Sequence, residues 1–511
     1  MKSSTQTQAK YAFLGLFLLL SAQTLGAKAI EGPGAEALRE RAKLEPPGLP
    51  EPIVQLLKNV GIAPSSLSVM VKELPSERPH LGNSLKGQDR TPARLPRIEM
   101  SHLPSQLRTP ASLMKLVTTQ AALDMLGPNY TWKTEVYITG PIEPSGLLVG
   151  DVIIRGGLDP KLSVESATHL LQKLRAMGVQ KIKGDVIVDK SMLDEPARDP
   201  GQFDGEPLKP YNVAADALLI NFNAILMTFT PDPWSGVAHV SIEPPLAGLT
   251  YPKGVPLSGS NCLDYRKELR ADFAQPLGIT FSGSYAKACG TKVWPLAFAK
   301  PQEFTQRALA GLWKSLQGEI EGVFKVGALP AQARLLWTES SPPLSDVVKD
   351  MNKYSNNVMA QHLFLSLSLN TSSDMPRAAN ENVSKEVVQG WWREKVSSTP
   401  LIIEQGSGLS RSERISAQGL SDLLDHMWLS PFMSEVMASL PISGVDGTLK
   451  SRQSIAPAHL KTGSLKDVNG VAGIVQDRGQ KRHILVAIIN DPKAKEGQVV
   501  LEALIQWVAN Q

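Results

Sequence analysis

Apolar positions change their spacing several times along the chain, and each change marks an element or a boundary. Residues 52–75 read as a helix (PIVQLLKNVG) followed by a strand (SLSVMVKEL) in which apolar positions alternate. Residues 76–107 lose that order, are rich in Pro, Arg and Ser, and read as a long surface turn or hairpin. From Thr109 a strongly apolar helix is expected through LMKLVTTQAALDML, ending at the breaker pair Gly127-Pro128. Between 138 and 335 short β-rich runs alternate with turns: LLVGDVIIRGG, KIKGDVIVDKS, ALLINFNAILMTFT and GVAHVSIEPP. A single helical pattern, ESATHLLQKLRAMG, interrupts them. Helical spacing returns with SDVVKDMNKYSNNVMAQHLFLSLSL from 345 and AQGLSDLLDHMW from 417. The C-terminal stretch carries two strands, NGVAGIVQD and RHILVAIIND, and a closing amphipathic helix, EGQVVLEALIQWVAN. The pattern predicts an α/β (α+β) chain. A helix and sheet domain, residues 30–137 and 336–511, is split around one or two inserted mixed α/β and β-rich domains at 138–335.

Composition narrows the partners. A chain of 511 residues exceeds one ordinary core, and 42% hydrophobic with 20% charged residues describes a folded protein. The 53 basic residues against 49 acidic ones are dispersed and leave a net charge of only +4, so nucleic acid is not an expected partner. Residues 1–29 follow a different pattern: Lys2 and Lys10 precede the apolar run YAFLGLFLLL, and small residues follow in LGAKA. This reads as a secretory signal cleaved after Ala27 or Ala29, with an apolar core shorter than the ~20 residues a membrane span needs. Export into an oxidising compartment makes Cys262 and Cys289, the only two cysteines, an expected disulfide. Closing that loop contributes roughly 3 kcal/mol by chain entropy.

The chemistry starts in PASLMKLVTT, where Lys115 stands inside an apolar run three positions after Ser112. On a helix these two side chains share a face. A serine hydroxyl needs an adjacent base at neutral pH, and lysine can be that base only when burial or a neighbouring cation disfavours its ammonium form. The spacing alone is weak, because Ser284-Tyr-Ala-Lys287 repeats it in a turn-rich region with no helical run behind it. Two further motifs strengthen it: Ser355-Asn356-Asn357 in a helix-rich stretch, and Lys461-Thr462-Gly463 just before a strand. The eight histidines show no metal-ligand spacing and no G-x-S-x-G elbow exists, so neither metal nor cofactor is expected.

In that order the three motifs resemble the active-site serine penicillin-recognising enzymes, the penicillin-binding proteins and serine β-lactamases. The interval from Ser112 to Ser355 is far longer than in compact β-lactamases. With RGGLDPKL, SPPLSDVVKDMNKYSNN, GSGLSR and LKTGSL it looks like the class C low-molecular-mass penicillin-binding proteins, which are D-alanyl-D-alanine carboxypeptidases and endopeptidases. The resemblance implies a DD-peptidase-like domain split by inserted domains, a periplasmic location, peptidoglycan peptides as substrates and β-lactams as inhibitors. It implies Ser112 as nucleophile, Lys115 as its base, Ser355 as proton relay to the leaving amine, and Asn357 as the group that positions Lys115 and bonds the substrate amide. Lys461 and Thr462 would hold the terminal carboxylate, Gly463 would admit the substrate to the strand, and the backbone N–H groups of Ser112 and Ser464 would form the oxyanion hole.

Arg411, in GSGLSR, matches an arginine that such enzymes direct at the free end of the substrate's diaminopimelate side chain. Asp204 or Glu206, in QFDGEPLKPY, would complement it, and the choice between them stays open. Asn356 departs from the aspartate common at its position, which removes a negative charge near both lysines. A serine β-lactamase and a catalytically silent cell-wall binding protein are the alternatives. Oligomeric state and loose membrane or cell-wall association are left open.

Overall fold

The structure, a computed structural model, describes residues 48–75, 97–370, 378–452 and 456–511. The signal segment 1–29 lies outside the described residues, as do residues 76–96 of the Pro- and Arg-rich stretch.

A five-stranded antiparallel sheet organises the two ends of the chain. Its order is Ala458–Leu465, Val468–Gln476, Arg482–Asn490, Leu67–Glu73, Ile98–His102. Successive side chains on a strand point to opposite faces, so a strand covered on both sides needs a continuous apolar run. RHILVAIIN is such a run: Leu485, Ala487 and Ile489 pack with the helices Glu51–Val60 and Gln498–Ala509, whereas Ile484, Val486 and Ile488 join a second core on the other face. That second core contains the helices Met114–Leu126, Leu344–Lys353, Asn357–Ser366 and Ala417–Leu429.

Residues 133–340 build two further five-stranded sheets. One runs Phe324–Val326, Val186–Asp189, Val152–Arg155, Lys133–Ile138, Arg334–Ser340, with parallel pairs inside it. Its entry strand, Lys133–Ile138, pairs antiparallel with its exit strand, Arg334–Ser340, so the chain enters and leaves this part on neighbouring strands. The other sheet runs Tyr285–Ala286, Gly254–Ser258, Val237–Glu243, Ala224–Asp232, Lys292–Ala297. The apolar side chains of both sheets merge into one core, separate from the two that flank the first sheet. Cys262 and Cys289 are disulfide-bonded here, with Cα atoms 4.8 Å apart.

Several local expectations need correction. A second long helix, Pro301–Ser315, lies between the strands beside Val164–Ala176; Pro at its start and Glu303 in its first turn are the start signals that mark it. In ALLINFNAILMTFT only Ala224–Asp232 is strand, because Asn221, Phe222 and Asn223 all take left-handed backbone angles (φ 48°, 56° and 48°) and turn the chain. The described end of the Pro-rich stretch supplies a strand, Ile98–His102, which makes the hairpin reading the apt one there. Lys461-Thr462-Gly463 does precede the strand Val468–Gln476, and it lies within a further strand, the edge strand Ala458–Leu465, that the apolar pattern did not show. Finally, the helical stretch from 345 breaks into Leu344–Lys353 and Asn357–Ser366, and the break falls at Ser355, whose φ is 55°.

Candidate active site

The helix Met114–Leu126 is buried on every side from Met114 to Leu123. A surface lysine would run its stem along the protein and keep its ammonium in water; Lys115 has no such path and is 0% exposed. Ser112 stands half-buried in the short 3-10 turn Ala111–Leu113 that opens this helix. Two glycines press that turn into place. A Cβ on Gly408 (φ 81°) would lie 1.9 Å from the Ala111 carbonyl oxygen, and one on Gly463 would lie 2.6 Å from that of Pro110. The bare backbone at Gly463 is thus already required by the serine's own turn.

The Lys115 Nζ has three neighbours: Ser112 Oγ at 2.9 Å, Asn357 Oδ1 at 2.7 Å and the Ser407 carbonyl at 2.5 Å. The last two oxygens can only accept. A neutral amine donates its two N–H bonds to them and keeps its lone pair for the Ser112 hydroxyl, which then donates to it. Burial pushes the Lys115 ammonium well below the ordinary lysine range, the nearby Lys461 cation pushes the same way, and the Glu413 carboxylate opposes both.

A second buried lysine completes the centre. Lys461, 0% exposed, donates to Ser355 Oγ at 2.9 Å and to the Thr462 carbonyl at 3.0 Å, and burial lowers it to about 7. Ser355 reaches it because the helix is interrupted there. Asn357 also donates from Nδ2 to the Tyr211 carbonyl at 3.2 Å. Asn356 takes the helix N-cap, its Oδ1 accepting from the Met359 N–H at 3.0 Å, which turns this side chain toward its own helix. Thr462 shares a 2.8 Å hydrogen bond with Thr448, and Ser464 is exposed farther along the edge strand.

Arg411 lies elsewhere than among these groups. Its guanidinium pairs with Asp467 at 3.0 Å, just beyond the Lys461 strand, and stacks over the Phe203 ring at 4.7 Å. Arg411, Phe203, Arg198, Asp199 and Glu404 line a cavity of about 460 Å³. Asp204 faces its own loop, accepting from Tyr211 Oη (2.9 Å), Asn212 Nδ2 (2.7 Å) and the Glu206 N–H (3.1 Å). Glu206 is exposed, and its backbone carbonyl accepts from Asn212. Neither acid is paired with Arg411.

Three contributors escape motif reading. Ser407 acts through a backbone carbonyl, which no side-chain pattern records. Asp467 is distant in sequence from Arg411. Glu413, two residues after Arg411, is a lone acid in a polar loop and yet fully buried; the only signal for it was its place beside GSGLSR.

The chain matches the D-Ala-D-Ala carboxypeptidase 3 (S13) family over residues 73–511. It is similar to a D-alanyl-D-alanine carboxypeptidase of an Actinomadura species, 28% identical over 408 residues that cover 75% of this chain and 73% of that one. It is also similar to the D-alanyl-D-alanine carboxypeptidase DacB of Haemophilus influenzae, 25% identical over 402 residues covering 74% and 80% of the two chains. The crystal structure of penicillin binding protein 4 (dacB) from Haemophilus influenzae shares the fold: TM-score 0.68 at 22% identity, over 90% of this chain and 99% of that one.

Proposed function

Because the chain belongs to the D-Ala-D-Ala carboxypeptidase 3 (S13) family, and so is a penicillin-binding, serine-type DD-peptidase, we propose that Ser112 is its nucleophile and Lys115 the base that activates it. The observation that carries this reading is the hydrogen-bond inventory of Lys115: two acceptors that take both N–H bonds of a neutral amine, leaving its lone pair on Ser112 Oγ.

The Ser112 oxygen attacks the carbonyl between two D-alanines of a peptidoglycan stem peptide while its proton passes to Lys115 Nζ. The oxyanion is held by the N–H groups of Ser112 and Ser464. The C–N bond then breaks, and the departing amine takes a proton from Ser355, whose oxygen is backed by the Lys461 ammonium; the proton held on Lys115 replaces the one Ser355 gave up, which returns Lys115 to the neutral amine. Water hydrolyses the ester, with Lys115 again as base. Lys461 and Thr462 attract the substrate's terminal carboxylate, and the edge position of Ala458–Leu465 leaves backbone groups for an extended peptide to pair with. The cavity under Arg411 receives the polar end of the stem peptide's long side chain, with Asp199, Glu381 and Glu404, rather than Asp204 or Glu206, as the acids on its wall. Attack on a cross-bridge by the same steps gives endopeptidase activity.

The export signal read in residues 1–29 supports a periplasmic site of action. Among the described residues no helix is long and apolar enough to cross a membrane. A fluorescent penicillin tests the reading. The native protein is expected to carry the label as a stable ester and Ser112→Ala to carry none; a labelled Ser112→Ala protein would sink the assignment.

A further inference from the structure

Glu413 is a buried acid that the mechanism above does not use. It is 0% exposed, and its Oε1 accepts three backbone N–H bonds, from Glu404 (3.1 Å), Gln405 (3.2 Å) and Gly406 (3.2 Å). Its own N–H is held by Ser410 Oγ at 3.1 Å. Oε2 is buried with no hydrogen-bond partner among the described residues. The carboxyl group therefore clamps the two ends of the loop 404–413 together from inside.

What that loop presents outward is the wall of the active site. The Gly406 carbonyl accepts from Thr118 Oγ1 at 2.6 Å, one turn along the helix from Lys115, and the Ser407 carbonyl accepts from Lys115 Nζ itself. Gly408 then abuts the Ser112 turn. Three consecutive residues thus touch Thr118, Lys115 and the nucleophile's backbone, and the N–H groups just before them are fixed by one carboxylate. The same carboxylate acts on Lys115 through space.

We propose that Glu413 is a positioning residue for Lys115: it fixes the loop whose Ser407 carbonyl orients the amine. The inference rests on the reading of Lys115 as the base of Ser112. The charged groups around the pair are few. Lys461, from the edge strand, opposes a proton on Lys115; Glu404, from the loop, opposes a charge on Glu413 and is itself tied to Ser410 and Ser412 and acted on by Arg198 and Lys385. Burial raises the Glu413 carboxyl to about 7, against the pull of its three N–H donors.

The test is the rate constant for acylation by a fluorescent penicillin, followed from about pH 5 to about pH 9 in the full-length protein. Glu413→Gln keeps the accepting oxygen and removes the charge. The oxygen that accepts the three loop N–H bonds is retained, so the plateau stays within about threefold of the native one. Glu413→Asp keeps the charge and shortens the reach to the loop, so its plateau falls about tenfold with the acid limb in place. A Glu413→Gln plateau that falls as far as that of Glu413→Asp overturns the inference, because the retained oxygen would then not hold the loop. Should that variant not fold, an undiminished plateau in Glu413→Asp overturns it instead. A native protein that takes no label at Ser112 overturns the proposed function, and the inference falls with it.

Discussion

Ser-x-x-Lys occurs twice in this chain, and the two copies have opposite surroundings. Ser112 opens a helix buried on every side, and Lys115 ends in a closed set of acceptors. Ser284 precedes the two-residue strand Tyr285–Ala286, and Lys287 is exposed in a 3-10 turn beside the disulfide. The covalent pattern is the same. What differs is whether water can reach the ammonium, and burial is the larger of the causes that disfavour the charged form of Lys115.

The largest expected break in that contrast comes from arginine. Lys115→Arg places a permanently charged group on Ser112, so acylation by penicillin should fall by about a thousandfold or more, whereas Lys287→Arg should leave it within error. A stopped-flow comparison of the two variants decides it; comparable losses would mean that burial is not the distinguishing feature.

A smaller effect separates the two buried lysines from each other. Lys115 must be neutral to act, so the rate falls as pH drops through its lowered value. Lys461 must be charged to hold a carboxylate, so kcat/KM for a D-Ala-D-Ala peptide should fall as pH rises above about 7, approaching tenfold per unit. Lys287→Met should leave both limbs where they are. A peptide profile that stays flat above neutrality would remove Lys461 from carboxylate binding.

The smallest effect on activity is expected at the disulfide. Cys262→Ser with Cys289→Ser should lower unfolding stability by about 3 kcal/mol and leave penicillin acylation unchanged at room temperature. Thermal melts alongside labelling would show it, and a parallel loss of acylation would tie the two Ser-x-x-Lys regions together after all.

Much of the candidate site was legible because it is written in side chains of distinctive type in a fixed order. Ser112, Lys115, Asn357 and Lys461 meet as their motifs imply. The break that frees Ser355 was not legible, since SDVVKDMNKYSNNVMAQHLF keeps a helical apolar spacing across it and only the left-handed backbone at Ser355 interrupts the helix. The strand under Lys461 was hidden for a related reason: AHLKTGSL has polar residues at buried positions, and their burial is tolerated only because each finds a partner across the site. Helix Pro301–Ser315 carried ordinary start signals that the surrounding β-rich texture obscured.

By itself the sequence determined the order of the motifs, the apolar runs that become the central strands and the nucleophile helix, and the likeness that names the chemistry. Those depend on residue type and spacing, which the chain carries covalently. Only the tertiary structure decided that Lys115 has no route to water, that Ser407 offers it a carbonyl, that Asp467 rather than Asp204 or Glu206 pairs with Arg411, and that Glu413 is buried beneath the loop. Each of these depends on dielectric and on distances between segments far apart in the chain, and neither quantity exists until the segments are packed.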